Sequence, residues 1–108
     1  MFRLTMLYGT PHNAKEFDRY YAEIHVPLAH QIPGLRQFTY GRIAAEENHR
    51  YYSIAQLDWD SEAEFTEAMA STRGEAAASD VPLFATGGVT MIQAEVRDLL
   101  ACKTSQIT

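Results

Sequence analysis

The residues of this chain that could do chemistry gather around one histidine. His25 follows Tyr21 by four positions and Asp18 by seven. At helical spacing the three share one flank. At about 100° per residue, His25 lies beside the Phe17, Ile24 and Leu28 stripe rather than opposite it. That is the edge of a core, where a pocket between helix and sheet could open. The last helical turn favours the imidazolium, and desolvation opposes it. A histidine needs only a small shift to titrate near neutrality, which suits a general acid or base. The plainer alternative is a histidine that closes the helix end on a backbone carbonyl. Spacing leaves both readings open.

The tyrosines form a second set. Tyr8, Tyr20, Tyr21, Tyr40, Tyr51 and Tyr52 come from four separate elements. Several could line one pocket, giving apolar walls with a few hydroxyls. Ordinary core and interface packing is the competing role. The two weigh equally for Tyr8, Tyr21 and Tyr40, and packing is favoured for the others. Tyr8, Tyr21, Phe38, Phe65 and Phe84 are the expected substrate contacts. His25 and Tyr40 are the expected catalytic pair, with Tyr40 or Tyr8 orienting an oxygen.

Other candidates carry less. His12 falls in a turn, His30 in a connector and His49 in a polar loop. His25 and His30 are five apart, which does not align two ligands on one helix face, and H-E-x-x-H is absent. Asp58, Asp60, Glu62 and Glu64 read as a solvated turn and helix start, where acidic charge is favoured. No metal is expected. The single cysteine, Cys102, cannot form an internal disulfide, so a reducing compartment is the default. No Gly-x-Ser-x-Gly elbow is present.

The elements that must position these groups are legible from periodicity. Phe2–Tyr8 alternates as a strand, broken at Gly9-Thr10-Pro11. Asn13 and Glu16 form a capping box for a first helix over residues 14–25. Pro27 should end or kink it. Strands are expected at Leu35–Ile43, Tyr51–Trp59 and Val89–Val96, with a polar hairpin-like loop between Ala44 and Arg50. Ser61 and Glu64 cap a second helix bearing Phe65, Ala68 and Met69. Ser71 and Gly74 should interrupt it, a short helix should follow at Glu75–Ser79, and Pro82 should end that region. Gly34, Gly87 and Gly88 read as turn glycines. The order is β-α-β-β-α-β, an α+β ferredoxin-like pattern with a four-stranded antiparallel sheet. Residues 1–98 form one domain and 99–108 a loosely patterned tail. Apolar residues on both strand faces predict that the uncovered face packs on a second copy.

Composition narrows the function classes. The 108 residues suit one domain, and a chain of this size buries roughly 65% of its unfolded surface. Nine basic against fourteen acidic residues give a net charge of −5, which opposes attraction to nucleic acid or anionic membrane. No run approaches a membrane span, and no signal peptide is expected ahead of the first strand. A cytoplasmic protein is expected.

Several segments carry a family resemblance. Tyr20-Tyr21-Ala22-Glu23-Ile24-His25-Val26-Pro27-Leu28-Ala29 resembles the EthD motif of aromatics, histidine and proline-leucine-alanine. Ile32-Pro33-Gly34-Leu35 is similar to the family's turn into strand two. Phe84-Ala85-Thr86-Gly87-Gly88-Val89-Thr90 is similar to its entry into strand four, and Leu4-Thr5-Met6-Leu7-Tyr8-Gly9 matches its opening. Together they span Phe2 to about Glu95. The resemblance implies the dimeric α/β-barrel superfamily, in which two ferredoxin-like domains pack sheet against sheet. Relatives include muconolactone-type isomerases, polyketide cyclases and small monooxygenases. The family is named for ethyl tert-butyl ether degradation, and members are often labelled reductases. A methylmuconolactone-isomerase relative has a functional histidine at the position of His25, and an active-site tyrosine where this chain has Phe38. Tyr40, on the same strand face, is placed to supply a hydroxyl instead. No Rossmann glycine fingerprint is present, and no cofactor is expected.

Two functions follow as expectations. One is a homodimeric enzyme that isomerises, cyclises or oxidises a small hydrophobic oxygenated metabolite, with His25 as general acid or base. The other is a non-catalytic dimeric binding or accessory protein of an oxygenase pathway.

Overall fold

The computed structural model describes residues 1–44, 48 and 50–100. His49, Cys102, residues 101–108 and most of the polar loop after Ala44 lie outside the described residues. Strand β1 is Phe2–Gly9, followed by helix α1 at Ala14–Tyr20, a π-helical turn at Tyr21–His25 and the short helix α2 at Val26–Ala29. Strands β2 (Gln37–Arg42) and β3 (Tyr51–Trp59) come next, then helices α3 (Glu62–Ala70) and α4 (Thr72–Phe84), and strand β4 (Val89–Glu95). The expected β-α-β-β-α-β order is present, with each helical crossover broken into pieces. The sheet runs β2-β3-β1-β4, and its pairs are antiparallel. Among the described residues no helix is long and apolar enough to cross a membrane.

Alternation sets the two faces. Phe2, Leu4, Met6 and Tyr8 are buried and pair with Trp59, Leu57, Ala55 and Ser53 of β3. Phe38 and Tyr40 sit opposite Leu57 and Ala55, so they share this face. Helices cover it and close the core. At Tyr8 the register slips, and Tyr52 becomes an extra residue between Ser53 and Tyr51. A bulge of this kind re-aims a side chain. Here it brings the Tyr52 ring to 5.3 Å from Phe17, and its hydroxyl donates to Asp18 at 2.7 Å.

The opposite face is less apolar than the sequence suggested. It presents Leu7, Ile54 and Ile92, framed by Thr5, Gln56, Thr39 and Thr90. Arg3 and Asp58 also lie there in a bidentate ion pair of 2.8 and 3.0 Å, with Asp58 buried. Asp58 is therefore not part of a solvated acidic turn, because the guanidinium covers it. The expectation of two apolar faces failed because it was made without register, which puts Phe38 and Tyr40 beside Ala55 and Leu57.

The helical segments differ from expectation at both internal prolines. The chain does not stop at Pro27. The Val26 N–H bonds the Tyr21 carbonyl five residues back, and helix resumes with Pro27 in the first turn of α2. Proline is tolerated in the first turn of a helix, and the widened turn before it eases the clash of its ring with the preceding carbonyls. Pro82 lies inside α4 near its end, and Gly74 lies in the first turn, so neither breaks that helix. Ser71 ends α3 and caps α4, its hydroxyl accepting from the Gly74 N–H at 3.1 Å. A Cβ on Gly74 would fall 2.0 Å from the Ala68 carbonyl oxygen. Glycine there lets α4 seat directly on α3.

Candidate active site

The covered face of the sheet encloses a cavity of about 230 Å³. Its walls come from all four strands, the π turn and three helices. Leu4, Met6 and Leu57 form the floor, and Ala77 and Val81 of α4 form the roof. Ala78, Pro82 and Met91 also line it and are exposed, so it opens between α4 and β4. The polar wall groups belong to Tyr8, Tyr21, His25 and Trp59. The Trp59 indole N–H is occupied, donating to the Pro33 carbonyl at 3.0 Å.

The π turn delivers two of these groups. It places Tyr21 and His25 together on the buried side, at 4% and 6% exposure, with ring centroids 5.3 Å apart. Such turns are frequent at functional sites. Phe84 stands 4.7 Å behind the imidazole, and Tyr8 lies 5.8 Å from Tyr21.

His25 makes its hydrogen bond to a side chain, not to a helix-end carbonyl. Its Nδ1 lies 3.0 Å from Oδ2 of Asp80, on α4. The other Asp80 oxygen accepts from the Tyr20 hydroxyl at 2.6 Å. Asp80 is 7% exposed, so a buried carboxylate is satisfied by two donors. A carboxylate partner fixes the proton on Nδ1. Nε2 is then left as an acceptor, and among the described residues it has no hydrogen-bond partner. Burial holds the imidazole below the ordinary value of 6.5, while the Asp80 hydrogen bond and charge pull it partway back.

The hydroxyls nearby are donors. Burial first, then the neighbouring tyrosines, pushes Tyr8 and Tyr21 well above the ordinary tyrosine value. The buried hydroxyls of Tyr21 and Ser53 make no hydrogen bond of ordinary geometry, although those of Tyr8 and Tyr40 act on them at longer range. A buried hydroxyl of this kind calls for a full partner.

The residues singled out from sequence fall into three groups. Tyr8, Tyr21, His25 and Phe38 line the cavity. Tyr40 and Phe84 stand behind that wall. Tyr40 is 40% exposed, with its ring stacked on Tyr21 at 4.4 Å. Phe65 lies apart, packed at 5.0 Å on both Phe2 and Trp59. Asp18 is not a partner of His25, because it receives Tyr52 and Arg42 instead. Asp80 was missed altogether. Its signal was present: it interrupts the buried stripe of Gly74, Ala77, Val81 and Phe84 with an acid. Reading Gly74 and Pro82 as helix breakers hid that stripe.

Comparison with known proteins agrees with this picture. The model of the EthD domain matches residues 11–88. An uncharacterized 11.0 kDa protein from the thcB-thcC intergenic region of Rhodococcus erythropolis is 42% identical over 94 residues, covering 85% of this chain and 91% of that protein. The crystal structure of an ethyl tert-butyl ether degradation (EthD) family protein of Bacillus halodurans superposes with a TM-score of 0.84, at 29% identity over 90% of this chain and 99% of that one. A dimeric ferredoxin-like protein of unknown function from Thermobifida fusca shares the fold, with a TM-score of 0.69 at 16% identity, covering 88% and 90% of the two chains. The matched segment carries the π turn, His25 and Asp80, and the chain belongs to the EthD family.

Proposed function

We propose that the protein is a homodimeric enzyme that moves a proton on a small hydrophobic oxygenated metabolite held in the cavity. One observation carries the reading. A buried imidazole, oriented by a buried carboxylate, stands beside Tyr21 on a wall that is mostly apolar among the described residues. Nε2 takes a proton from a C–H or O–H of the bound compound. Asp80 stabilises the imidazolium that forms. The Tyr21 and Tyr8 hydroxyls donate to the oxygen on which negative charge develops. Returning the proton at a different atom completes an isomerisation or cyclisation. In an oxidation, dioxygen would instead react with the carbanion.

The open sheet face supports the dimer. Leu7, Ile54 and Ile92 form an apolar centre with a polar surround, the usual anatomy of an interface. The Thermobifida fusca protein of the same fold is described as dimeric.

Turnover on a panel of small lactones, phenols and quinones tests the reading. Wild type should convert at least one of them. His25→Asn should bind it and lose turnover by on the order of 10²–10⁴-fold, with the dimer intact. Full turnover in that variant would remove His25 from the mechanism. Binding without turnover in wild type would favour a carrier.

A further inference from the structure

We propose that the cavity takes a neutral single-ring compound bearing one carbonyl or hydroxyl oxygen, presented to His25 and Tyr21, and that it rejects carboxylates. This deepens the proton-transfer reading and rests on it for the choice of site.

Charge is the first argument. Among the described residues no lysine or arginine stands on the cavity wall. The Asp80 carboxylate stands directly behind His25. A carboxylate entering there would lose its water, meet no cation and face a like charge. Burying an unpaired carboxylate is among the costliest events in a protein interior. A neutral oxygen meets what the site offers, a hydroxyl donor in Tyr21 and an acceptor in Nε2. The Tyr21 hydroxyl is buried and makes no hydrogen bond of ordinary geometry, with the Tyr8 hydroxyl acting on it at longer range, so a ligand oxygen would give it a full partner.

Polarity along the cavity limits the oxygen to one end. Away from His25 the wall is Leu57, Met69 and Trp59, and the Trp59 N–H is already bonded to Pro33. A second polar group placed there would stay unpaired, at about 1–3 kcal/mol.

Volume sets the size. An apolar cavity of about 150 Å³ accommodates benzene. By proportion, 230 Å³ accommodates about nine non-hydrogen atoms, one ring with a short substituent.

Acetophenone and benzoate make the test, since they match in shape and heavy-atom count and differ in charge. Each is titrated into the full-length protein at neutral pH. Binding is read from the indole N–H signal of Trp59, the chain's one tryptophan, and from the His25 ring signals. Acetophenone should bind at least tenfold more tightly than benzoate. Tyr21→Phe should weaken acetophenone about fivefold or more, without lowering thermal stability, because it deletes a hydroxyl that lacks an ordinary hydrogen bond. Equal or tighter binding of benzoate would overturn the proposal. So would no binding of acetophenone at millimolar concentration, or a Tyr21→Phe variant that binds it undiminished. Lost selectivity with His25-dependent turnover intact would sink the substrate class alone. Selective binding with full turnover in His25→Asn would sink the proton-transfer reading alone.

Discussion

The imidazole of His25 and the carboxylate of Asp80 meet at 3.0 Å, although 55 positions separate them in the chain. The contact joins the first helical crossover to the second and sits where the cavity wall becomes polar. It explains why an acid occupies the apolar stripe of α4. In the proposed mechanism it gives the two imidazole nitrogens different work, Nδ1 for orientation and Nε2 for chemistry.

Replacing Asp80 by Asn should separate orientation from binding. The amide keeps the size but can present an N–H to Nδ1, which favours the wrong tautomer. We expect kcat to fall on the order of 10²-fold or more, with KM little changed. Measuring both constants on whichever compound the wild type turns over checks this. A loss confined to KM would place Asp80 in ligand binding instead.

Tyr20 tunes the pair from the far side. Its hydroxyl donates to Asp80 at 2.6 Å and draws charge away from His25. Tyr20→Phe should leave the carboxylate more able to support an imidazolium. The His25 midpoint should therefore move up, as read by NMR titration. A downward or absent shift would contradict the shared-carboxylate arrangement.

Stability should depend on pH through the same histidine. Its folded-state value lies below the ordinary 6.5, chiefly through burial. As pH falls below about 6.5, the unfolded chain takes up this proton before the folded one does. The contribution present above 6.5 is therefore lost as pH drops through the folded value. Thermal melts of wild type should show this acid-side loss, and His25→Gln should flatten it. An identical pH profile in the variant would assign the loss to other groups.

The α3–α4 junction positions Asp80 and should tolerate no side chain at its closest point. A Cβ on Gly74 would approach the Ala68 carbonyl oxygen to 2.0 Å and the Met69 Cα to 2.8 Å. Gly74→Ala should cost about 1–3 kcal/mol by forcing the helices apart. Chemical denaturation measures it. No loss would mean the junction relaxes freely.

The proposed dimer is open to a direct perturbation. Leu7→Glu places a charge at the centre of the uncovered sheet face without touching the cavity. It should convert the dimer to monomer in analytical ultracentrifugation. A dimer that survives would show that the copies meet through another surface.

How much of this was legible in the sequence depended on how local the signal was. Strand β3 carries its own alternation and turn signals, and its bounds were read correctly as Tyr51–Trp59. The caps at Asn13 and Ser61 were equally local. The environment of His25 was not. Asp18 shares its helix flank, yet the β3 bulge at Tyr52 captures that carboxylate, and the true partner arrives from α4. The open face was misjudged for a related reason, because which residues share it depends on cross-strand register. Gly74 misled more than the prolines did: it lies in the first turn of a continuous α4 that replaces the expected short helix at Glu75–Ser79, while Pro82 falls two residues before that helix ends.

In the proposed mechanism His25 is a neutral base whose free nitrogen faces a ligand. Nitrogen-15 NMR of the imidazole, recorded across pH with and without acetophenone, tests it most directly. Nδ1 should carry the proton, the midpoint should lie below 6.5, and the Nε2 signal should change when the ketone is added. A proton resident on Nε2, or a midpoint above 6.5 that ignores the ligand, would contradict it.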